Sequence, residues 1–137
     1  MPDYILDDQI GFILRQAYQK HAVLFLERFG DELTPTQWAA IAKLNEVGAC
    51  SQNLLGRLTA MDAATIKGVV DRLTRRGLIA ASPSPTDRRR VLITLTPAGR
   101  KAYERGVALA HKVSFDTLAR LKPRDRTVLL RLLKQLG

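Results

Sequence analysis

The sequence predicts a mainly α-helical fold with one small β-hairpin. Apolar residues recur at intervals of three and four along most of the chain, which is the period of an amphipathic helix. Start signals such as Thr34-Pro35-Thr36-Gln37, and stop signals such as Gly30 and Gly77, divide these helical stretches. Two short apolar runs, joined by a loop rich in proline and arginine, separate the fourth helix from the fifth. Because the chain has 137 residues and no repeat or low-complexity linker, we expect one domain over residues 1–137.

The first two helices are predicted from apolar spacing and from capping residues. Apolar side chains spaced by three and four predict one long helix over residues 5–29, which Gly30 ends. The second helix has a strong start signal. Thr34 can cap it, Pro35 suits its first position and Gln37 completes a capping box. This helix is expected to end near Gly48.

The third and fourth helices are predicted to follow one another closely. Ser51 suits the cap of a short third helix that carries Leu54, Leu55 and Leu58. Asp62 opens the fourth helix, and Gly77 ends it. The spacing predicts that its buried side takes Ile66, Val69 or Val70, and Leu73.

The second half of the chain is predicted to contain the hairpin and two more helices. Residues 78–80 and 91–95 indicate two short strands. A fifth helix is predicted from Pro97 to about Arg120, and a sixth helix starts at Pro123.

The charge of the chain is strongly basic and unevenly distributed. The sequence has 22 Lys and Arg against 13 Asp and Glu, with a pI near 10.3. Residues 51–105 carry eleven basic and four acidic side chains, so +7 of the net +9 lies in this stretch. An excess of this kind favours a polyanionic partner, either nucleic acid or an anionic membrane surface. Since no run approaches about 20 apolar residues, we expect no membrane span.

Residue types that serve catalysis, metal binding or disulfides are sparse. Cys50 is the single cysteine, so no disulfide can form within the chain, and a reducing cytoplasm is expected. We expect Cys50 to be a buried, inert thiol. His21 and His111 are too isolated to indicate a metal site, and we predict no cofactor. The sequence also lacks a nucleophile–base–acid set or a phosphate-binding glycine loop, so we do not expect an enzyme.

Residues 51–95 follow the order of a winged helix-turn-helix: short helix, turn, capped helix, strand, basic loop, strand. In that motif the second helix lies in the major groove of DNA. A basic loop tip can enter the minor groove, where negative potential favours arginine. The alternative is an ordinary amphipathic helix with a solvated basic face. The candidate DNA-binding residues are Ser51, Gln52, Arg57, Ala63, Ala64, Thr65, Lys67, Gly68, Arg72, Arg75, Arg88, Arg89 and Arg90.

Two segments of the chain resemble the multiple-antibiotic-resistance regulator (MarR) family. The segment TDRRRVLITLTPAG is similar to the wing signature of that family, in which the matching positions here are Asp87, Arg89, Leu95, Thr96 and Gly99. The segment TIKGVVDRLTRRGLI resembles its recognition helix. The flanking helices also fall where the family has them, so the resemblance covers nearly the whole chain.

The resemblance implies a homodimer that binds a pseudo-palindromic operator in double-stranded DNA. The dimerisation helices would be residues 1–30 and 97–137, and the DNA-binding region residues 34–96. Arg89 would enter the minor groove, while Asp87 would brace the wing by pairing with a nearby arginine. Arg88 and Arg90 would contact phosphates, or one of them would be the partner of Asp87.

The sixth helix gives separate support for a dimer. Its apolar side chains cover more than one narrow stripe, which predicts contact with a second surface. That surface could belong to the same chain, but we favour a two-fold mate. The side chains are Val128, Leu129, Leu130, Leu132, Leu133 and Leu136.

The family also implies a small effector, often an aromatic acid. Candidate pocket residues lie on the first helix and on the second, and they combine aromatic rings with a basic group, which would suit an aromatic carboxylate or its thioester. The alternative is that these side chains are plain core. They are Arg15, Tyr18, His21, Phe25, Trp38 and Ile41.

The sequence therefore predicts a dimeric, sequence-specific transcriptional regulator, a repressor released by a small ligand. The alternative function is a non-specific architectural DNA-binding protein with the same charges and little discrimination among sequences.

Overall fold

The computed structural model describes residues 3–137. Within that range it contains six α-helices, one short 3-10 helix and one antiparallel pair of strands. The 3-10 helix spans Leu6–Asp8. The other elements are α1 (Ile10–Phe29), α2 (Pro35–Val47), α3 (Gln52–Leu58), α4 (Ala63–Arg75), β1 (Ile79–Pro83), β2 (Val91–Leu95), α5 (Pro97–Thr117) and α6 (Pro123–Lys134).

The described chain divides into two compact units. The central unit comprises residues 31–109 and holds α2, α3, α4 and the hairpin. The terminal unit comprises the described residues up to Gly30 together with residues 110–137. Helix α5 contributes residues to both units. No helix within residues 3–137 is both long enough and apolar enough to cross a membrane.

The first helix begins five residues later than predicted. Gln9 is extended, with a ψ of 136°, and it separates the 3-10 helix from α1. The side chain of Gln9 donates a hydrogen bond to the Ile5 carbonyl at 2.9 Å, which closes this separate turn. The predicted stop is confirmed, since Gly30 has a φ of 56° and donates its N–H to the Leu26 carbonyl.

The start of α2 is confirmed as a capping box. The Thr34 hydroxyl accepts the Gln37 N–H at 3.2 Å, and the Gln37 side chain accepts the Thr34 N–H at 3.2 Å. At the other end of the chain, α5 stops at Thr117, three residues before the predicted end. Its last backbone bonds shorten from four residues to three, as in the bond from the Ala119 N–H to the Asp116 carbonyl.

The core of the central unit lies between α2, α3, α4 and the hairpin. Its largest fully buried side chains are Ile41, Leu55, Ile66 and Leu73. All four predicted apolar residues of α4 are buried, both Val69 and Val70 included. Each strand has five residues. The register pairs Ile79 with Leu95 and Pro83 with Val91, so β1 starts one residue later than predicted and ends three residues later.

The terminal unit has a much smaller core. The stacked rings of Phe25 and Phe29, with centroids 4.2 Å apart, and Val113 are buried. An ion pair of 2.8 Å joins Arg28 on α1 to Asp116 on α5. Within the described chain, none of the α6 side chains is buried. Apolar side chains of α1 and α6 therefore remain on the surface of this unit.

Candidate nucleic-acid interface

The turn between α3 and α4 is compact because the two helices approach at a glycine. A Cβ at Gly56 would lie 3.0 Å from Cγ2 of Ile66, and the Gly56 carbonyl accepts the Met61 N–H at 2.9 Å. Ala60 completes the turn with a φ of 56°, a left-handed conformation that non-glycine residues rarely adopt. This geometry sets α4 directly after α3, as a helix-turn-helix requires.

The first turns of both helices are capped by side chains. The Ser51 hydroxyl accepts the Leu54 N–H at 3.2 Å, and the Asp62 carboxylate accepts the Thr65 N–H at 2.7 Å. The hydrogen bonds from Thr65 to the Asp62 carboxylate lower the pKa of that side chain. The cap signals read from the sequence are therefore confirmed at both helices.

The outward face of α4 is the side opposite its buried residues, and it is centred on Ala64, Gly68, Asp71 and Arg75 at 100° per residue. The Lys67 ammonium lies 3.0 Å from the Asp71 carboxylate. Among the predicted DNA-binding residues of α3 and α4, Gln52, Ser51 and Gly68 are half-buried. The exposed ones are Arg57, Ala63, Ala64, Thr65, Lys67, Arg72 and Arg75.

The wing tip is a closed turn that exposes three arginine side chains. The Asp87 carboxylate accepts the backbone N–H of Arg89 at 3.0 Å, and the Asp87 carbonyl accepts the N–H of Arg90 at 3.0 Å. The Arg90 carbonyl in turn accepts the N–H of Ser84 at 2.8 Å. These hydrogen bonds involve only the backbone of Arg89 and Arg90, and all three arginines, Arg88 included, are exposed.

The brace at Asp87 differs from the predicted one. We expected an arginine side chain as its partner, but none of the ion pairs within residues 3–137 involves Asp87. Its carboxylate bonds to the backbone two residues ahead, which is a local turn that aspartate commonly forms. Ser84 was not among the predicted wing residues, but it is buried and its hydroxyl accepts the Thr86 N–H at 3.3 Å. The signal was present as Ser84-Pro85-Thr86, a typical turn sequence.

Cys50 joins the wing to the start of α3. Its backbone exchanges two hydrogen bonds with Ile93 of β2, at 3.2 and 2.7 Å, and so forms an antiparallel β-bridge beside the hairpin. The side chain is buried, and burial raises the pKa of the Cys50 thiol. The expected burial is confirmed, while the structural role of this position was not predicted.

Thr96 joins the end of α4 to the start of α5. Its hydroxyl donates to the Gly77 carbonyl at 2.6 Å and accepts the Gly99 N–H at 3.1 Å. Its backbone N–H donates to the Leu78 carbonyl at 3.1 Å. A Cβ at Gly99 would overlap the Leu78 carbonyl oxygen, so only glycine fits there without a shift. The end of α4, the wing and the first turn of α5 are thus joined within the central unit.

Known proteins match this arrangement of helices and wing. A model of the MarR family matches residues 33–91. The HTH-type transcriptional repressor NicR of Pseudomonas putida is 36% identical over 134 residues, which cover 97% of this chain and 85% of that protein. The chain belongs to the MarR family.

Two solved structures share this fold over nearly the whole chain. A probable transcriptional regulator from Pseudomonas aeruginosa is 56% identical, with a TM-score of 0.92, and the match covers 97% of this chain and 100% of that one. BpsR of Bordetella bronchiseptica is 38% identical, with a TM-score of 0.94, and the match covers 98% of this chain and 97% of BpsR. The DNA binding of BpsR is regulated by 6-hydroxynicotinic acid. The predicted winged helix-turn-helix fold is confirmed, and the family is one of transcriptional regulators rather than enzymes.

The candidate pocket residues of α1 lie in the terminal unit. The rings of Tyr18 and Phe25 flank His21, with centroids 6.0 and 6.5 Å from it. His21 Nδ1 lies 2.8 Å from the Thr117 hydroxyl, which donates its own proton to the Val113 carbonyl. The His21 nitrogen must therefore be the donor in this bond. The fourth residue, Arg15, is exposed.

The other two candidate pocket residues belong to the central unit. Trp38 stacks on Tyr103 with centroids 5.5 Å apart, and a Cβ at Gly106 would overlap the Trp38 ring. Ile41 has no exposed surface. Both side chains thus have packing contacts within their own unit, and their part in a ligand pocket stays a prediction.

A cavity of about 590 Å³ opens within the terminal unit, between α1, the end of α5 and α6. His21 is the member of the predicted pocket that lines it. Leucine side chains of α6 form its apolar wall, and Lys20 and Arg120 add two cations.

Proposed function

We propose that this protein is a dimeric, sequence-specific DNA-binding regulator of transcription. In this proposal it is a repressor that a small aromatic carboxylate, or its thioester, releases from DNA. The observation that carries the proposal is the shared position of its two DNA-binding surfaces in the central unit. The wing is joined to the start of α3 through the backbone bonds between Cys50 and Ile93, and to the end of α4 through the hydroxyl of Thr96.

The chemistry of both surfaces suits DNA. Small residues at Ala64 and Gly68 would let α4 come close to base edges in the major groove, which is about 12 Å wide. Arg89 at the wing tip would enter the minor groove, where negative potential attracts arginine. The remaining cations would hold phosphates, together with the cap region at Ser51 and Gln52. These cations are Arg57, Arg72, Arg75, Arg88 and Arg90.

Exposed apolar side chains of the terminal unit support a dimer. On α1, Ile10, Ile13, Leu14 and Tyr18 are between 41% and 61% exposed. Every leucine of α6 is at least partly exposed as well. Apolar surface of this extent is uncommon on a monomer, and closed two-fold dimers are the commonest oligomers. We therefore propose that residues 1–30 and 97–137 supply the dimer contacts.

An aromatic carboxylate remains the proposed effector. Helix α1 combines aromatic surface with positive charge. Its neighbouring rings belong to Tyr18, His21 and Phe25, and the positive charge is that of Arg15. The relative BpsR, whose DNA binding 6-hydroxynicotinic acid regulates, responds to a ligand of this class. Release requires that the ligand bind one conformation of the protein better than the other. The ratio of its affinities for the two conformations sets how far it can shift the equilibrium between them.

The DNA part of the proposal is tested by selection from a pool of random duplexes. We expect the protein to enrich a two-fold symmetric site with half-sites about 10–10.5 base pairs apart. An architectural protein would enrich no consensus, and that outcome would overturn sequence-specific regulation.

The dimer is tested by sedimentation with a matched pair of variants. Leu130→Glu on α6 should yield a monomer because it places a charge in the proposed contact. Val47→Glu is the matched control, because Val47 and Leu130 are similarly exposed, at 46% and 47%. It should remain a dimer because Val47 lies in the central unit, outside the proposed contact. A monomeric wild-type protein would contradict this part of the proposal.

The effector is tested with a charged compound and its neutral counterpart. We expect 6-hydroxynicotinic acid to release the protein from its selected site and the corresponding amide to act far more weakly. Equal effects of acid and amide, or no effect of either, would count against a carboxylate effector.

A further inference from the structure

The outward face of α4 carries a carboxylate at its centre. Asp71 is the single acidic residue within Ala63–Arg75, and its side chain is 51% exposed. It lies nearly opposite the buried residues, beside Ala64, which has a small side chain, and Gly68, which has none. A surface that met only phosphates would be expected to carry cations at this place.

The contacts of Asp71 leave its carboxylate available. The Lys67 ammonium lies 3.0 Å from one carboxylate oxygen. Arg75 donates to the backbone carbonyl of Asp71 at 3.3 Å, so this hydrogen bond does not use the carboxylate. An exposed pair of this type contributes little to helix stability. Helix stability alone therefore gives little reason for a negative charge on this face.

In a major groove, a carboxylate discriminates strongly between base edges. It can accept a hydrogen bond from the exocyclic amino group of cytosine. It is repelled by the N7 and O6 acceptors of guanine, and by the phosphates of any sequence. Such a residue gains specificity partly by penalising wrong sites, while it lowers affinity for DNA in general.

We propose that Asp71 determines specificity by accepting a hydrogen bond from the amino group of a cytosine in the major groove. Lys67 screens the carboxylate when no DNA is bound and then turns toward a neighbouring phosphate or guanine. This inference rests on the proposed function, in which the outward face of α4 enters the groove.

The test compares base preferences of the wild type, Asp71→Ala and Asp71→Asn. Each protein is titrated with the site that the wild type selects from random duplexes, with single base-pair replacements of that site, and with a scrambled duplex. Glu46→Gln is the matched control, because Glu46 also pairs with a lysine at 3.0 Å but lies on α2. Thermal unfolding of each variant shows that the fold is retained.

We expect the wild type to prefer cytosine at one position in each half-site by about 5- to 150-fold. Asp71→Ala should lose that preference and bind the scrambled duplex more tightly. Asp71→Asn should favour adenine there, since an amide pairs with adenine. Glu46→Gln should match the wild type.

Unchanged preferences at every position in both Asp71 variants would overturn this inference and leave the proposed function intact. Equal binding of the selected and scrambled duplexes by the wild type would overturn both.

Discussion

The hydroxyl of Thr96 donates a hydrogen bond of 2.6 Å to the carbonyl of Gly77. This contact joins two residues 19 positions apart, one just after α4 and one at the start of α5. Gly77 has a φ of 73° and lies beyond the end of α4, so its carbonyl needs a partner outside that helix. Thr96 provides that partner while it also caps α5.

Removing this hydroxyl should loosen the end of α4. Thr96→Val removes both hydrogen bonds of the hydroxyl, to the Gly77 carbonyl and from the Gly99 N–H. We expect it to lower the free energy of unfolding by about 2 kcal/mol, because one hydrogen bond usually contributes a net value of about 1 kcal/mol. DNA affinity should fall as well, because both recognition helix and wing adjoin this contact. Denaturant unfolding and a DNA titration measure the two effects. Thr127→Val, which removes an exposed hydroxyl from α6, should leave both values unchanged.

The turn before the recognition helix contains a strained residue that glycine should relieve. Ala60 has a φ of 56°, and the left-handed conformation costs an L-residue about 1–2 kcal/mol. Part of that gain is offset because glycine is more flexible in the unfolded chain. We expect Ala60→Gly to raise the free energy of unfolding by about 0.5–1 kcal/mol.

The opposite change at Gly77, which has a φ of 73°, serves as the control. Gly77→Ala should destabilise the protein by a comparable amount. If the two substitutions changed the free energy of unfolding in the same direction, the assigned backbone conformations would be wrong.

The cap at Asp62 should make stability depend on pH. Hydrogen bonds from Thr65 lower the pKa of Asp62 in the folded state below its value in the unfolded chain. Its stabilising contribution is therefore present above the unfolded pKa and is lost as the pH falls through the folded pKa. Asp62→Ala should lower the melting temperature at neutral pH and have a much smaller effect near pH 2. Asp62→Asn, which keeps a good cap but cannot titrate, should retain most of the stability at neutral pH and lose this pH dependence.

The wing tip should contribute to DNA binding without supporting the fold. We expect Arg89→Ala to weaken binding to the selected site by about 5- to 150-fold, as for other arginine contacts with base edges. Melting temperature and dimer mass should not change, because its side chain is exposed. Arg124→Ala removes the same charge from an exposed position on α6 and should leave affinity unchanged. Equal losses for the two variants would mean that the wing acts only through overall charge.

Features defined within one turn of chain were predictable from the sequence. The capping box of Thr34 and Gln37, the stop at Gly30 and the buried side of α4 each depend on residues at most a few positions apart. The predicted start of α1 was wrong. The apolar spacing extends back to Ile5, but the backbone at Gln9 is extended and the helix begins at Ile10.

Features that depend on distant residues could not be predicted. The pairing of Cys50 with Ile93 spans 43 positions, and neither residue type indicates it. The family resemblance implied that Asp87 pairs with an arginine side chain, but its carboxylate accepts the backbone N–H of Arg89 two residues ahead. The residues of a ligand pocket likewise depend on packing that helical spacing does not distinguish from plain core.

Sequence-specific DNA binding by α4 and the wing is tested most directly by one equilibrium titration. The wild-type protein is titrated with its selected duplex and with a scrambled duplex of the same composition, at several salt concentrations. We expect the selected duplex to bind at least about a thousandfold more tightly at physiological salt, and both affinities to fall as salt rises. Affinities that agree within a few-fold across the salt series would contradict the account.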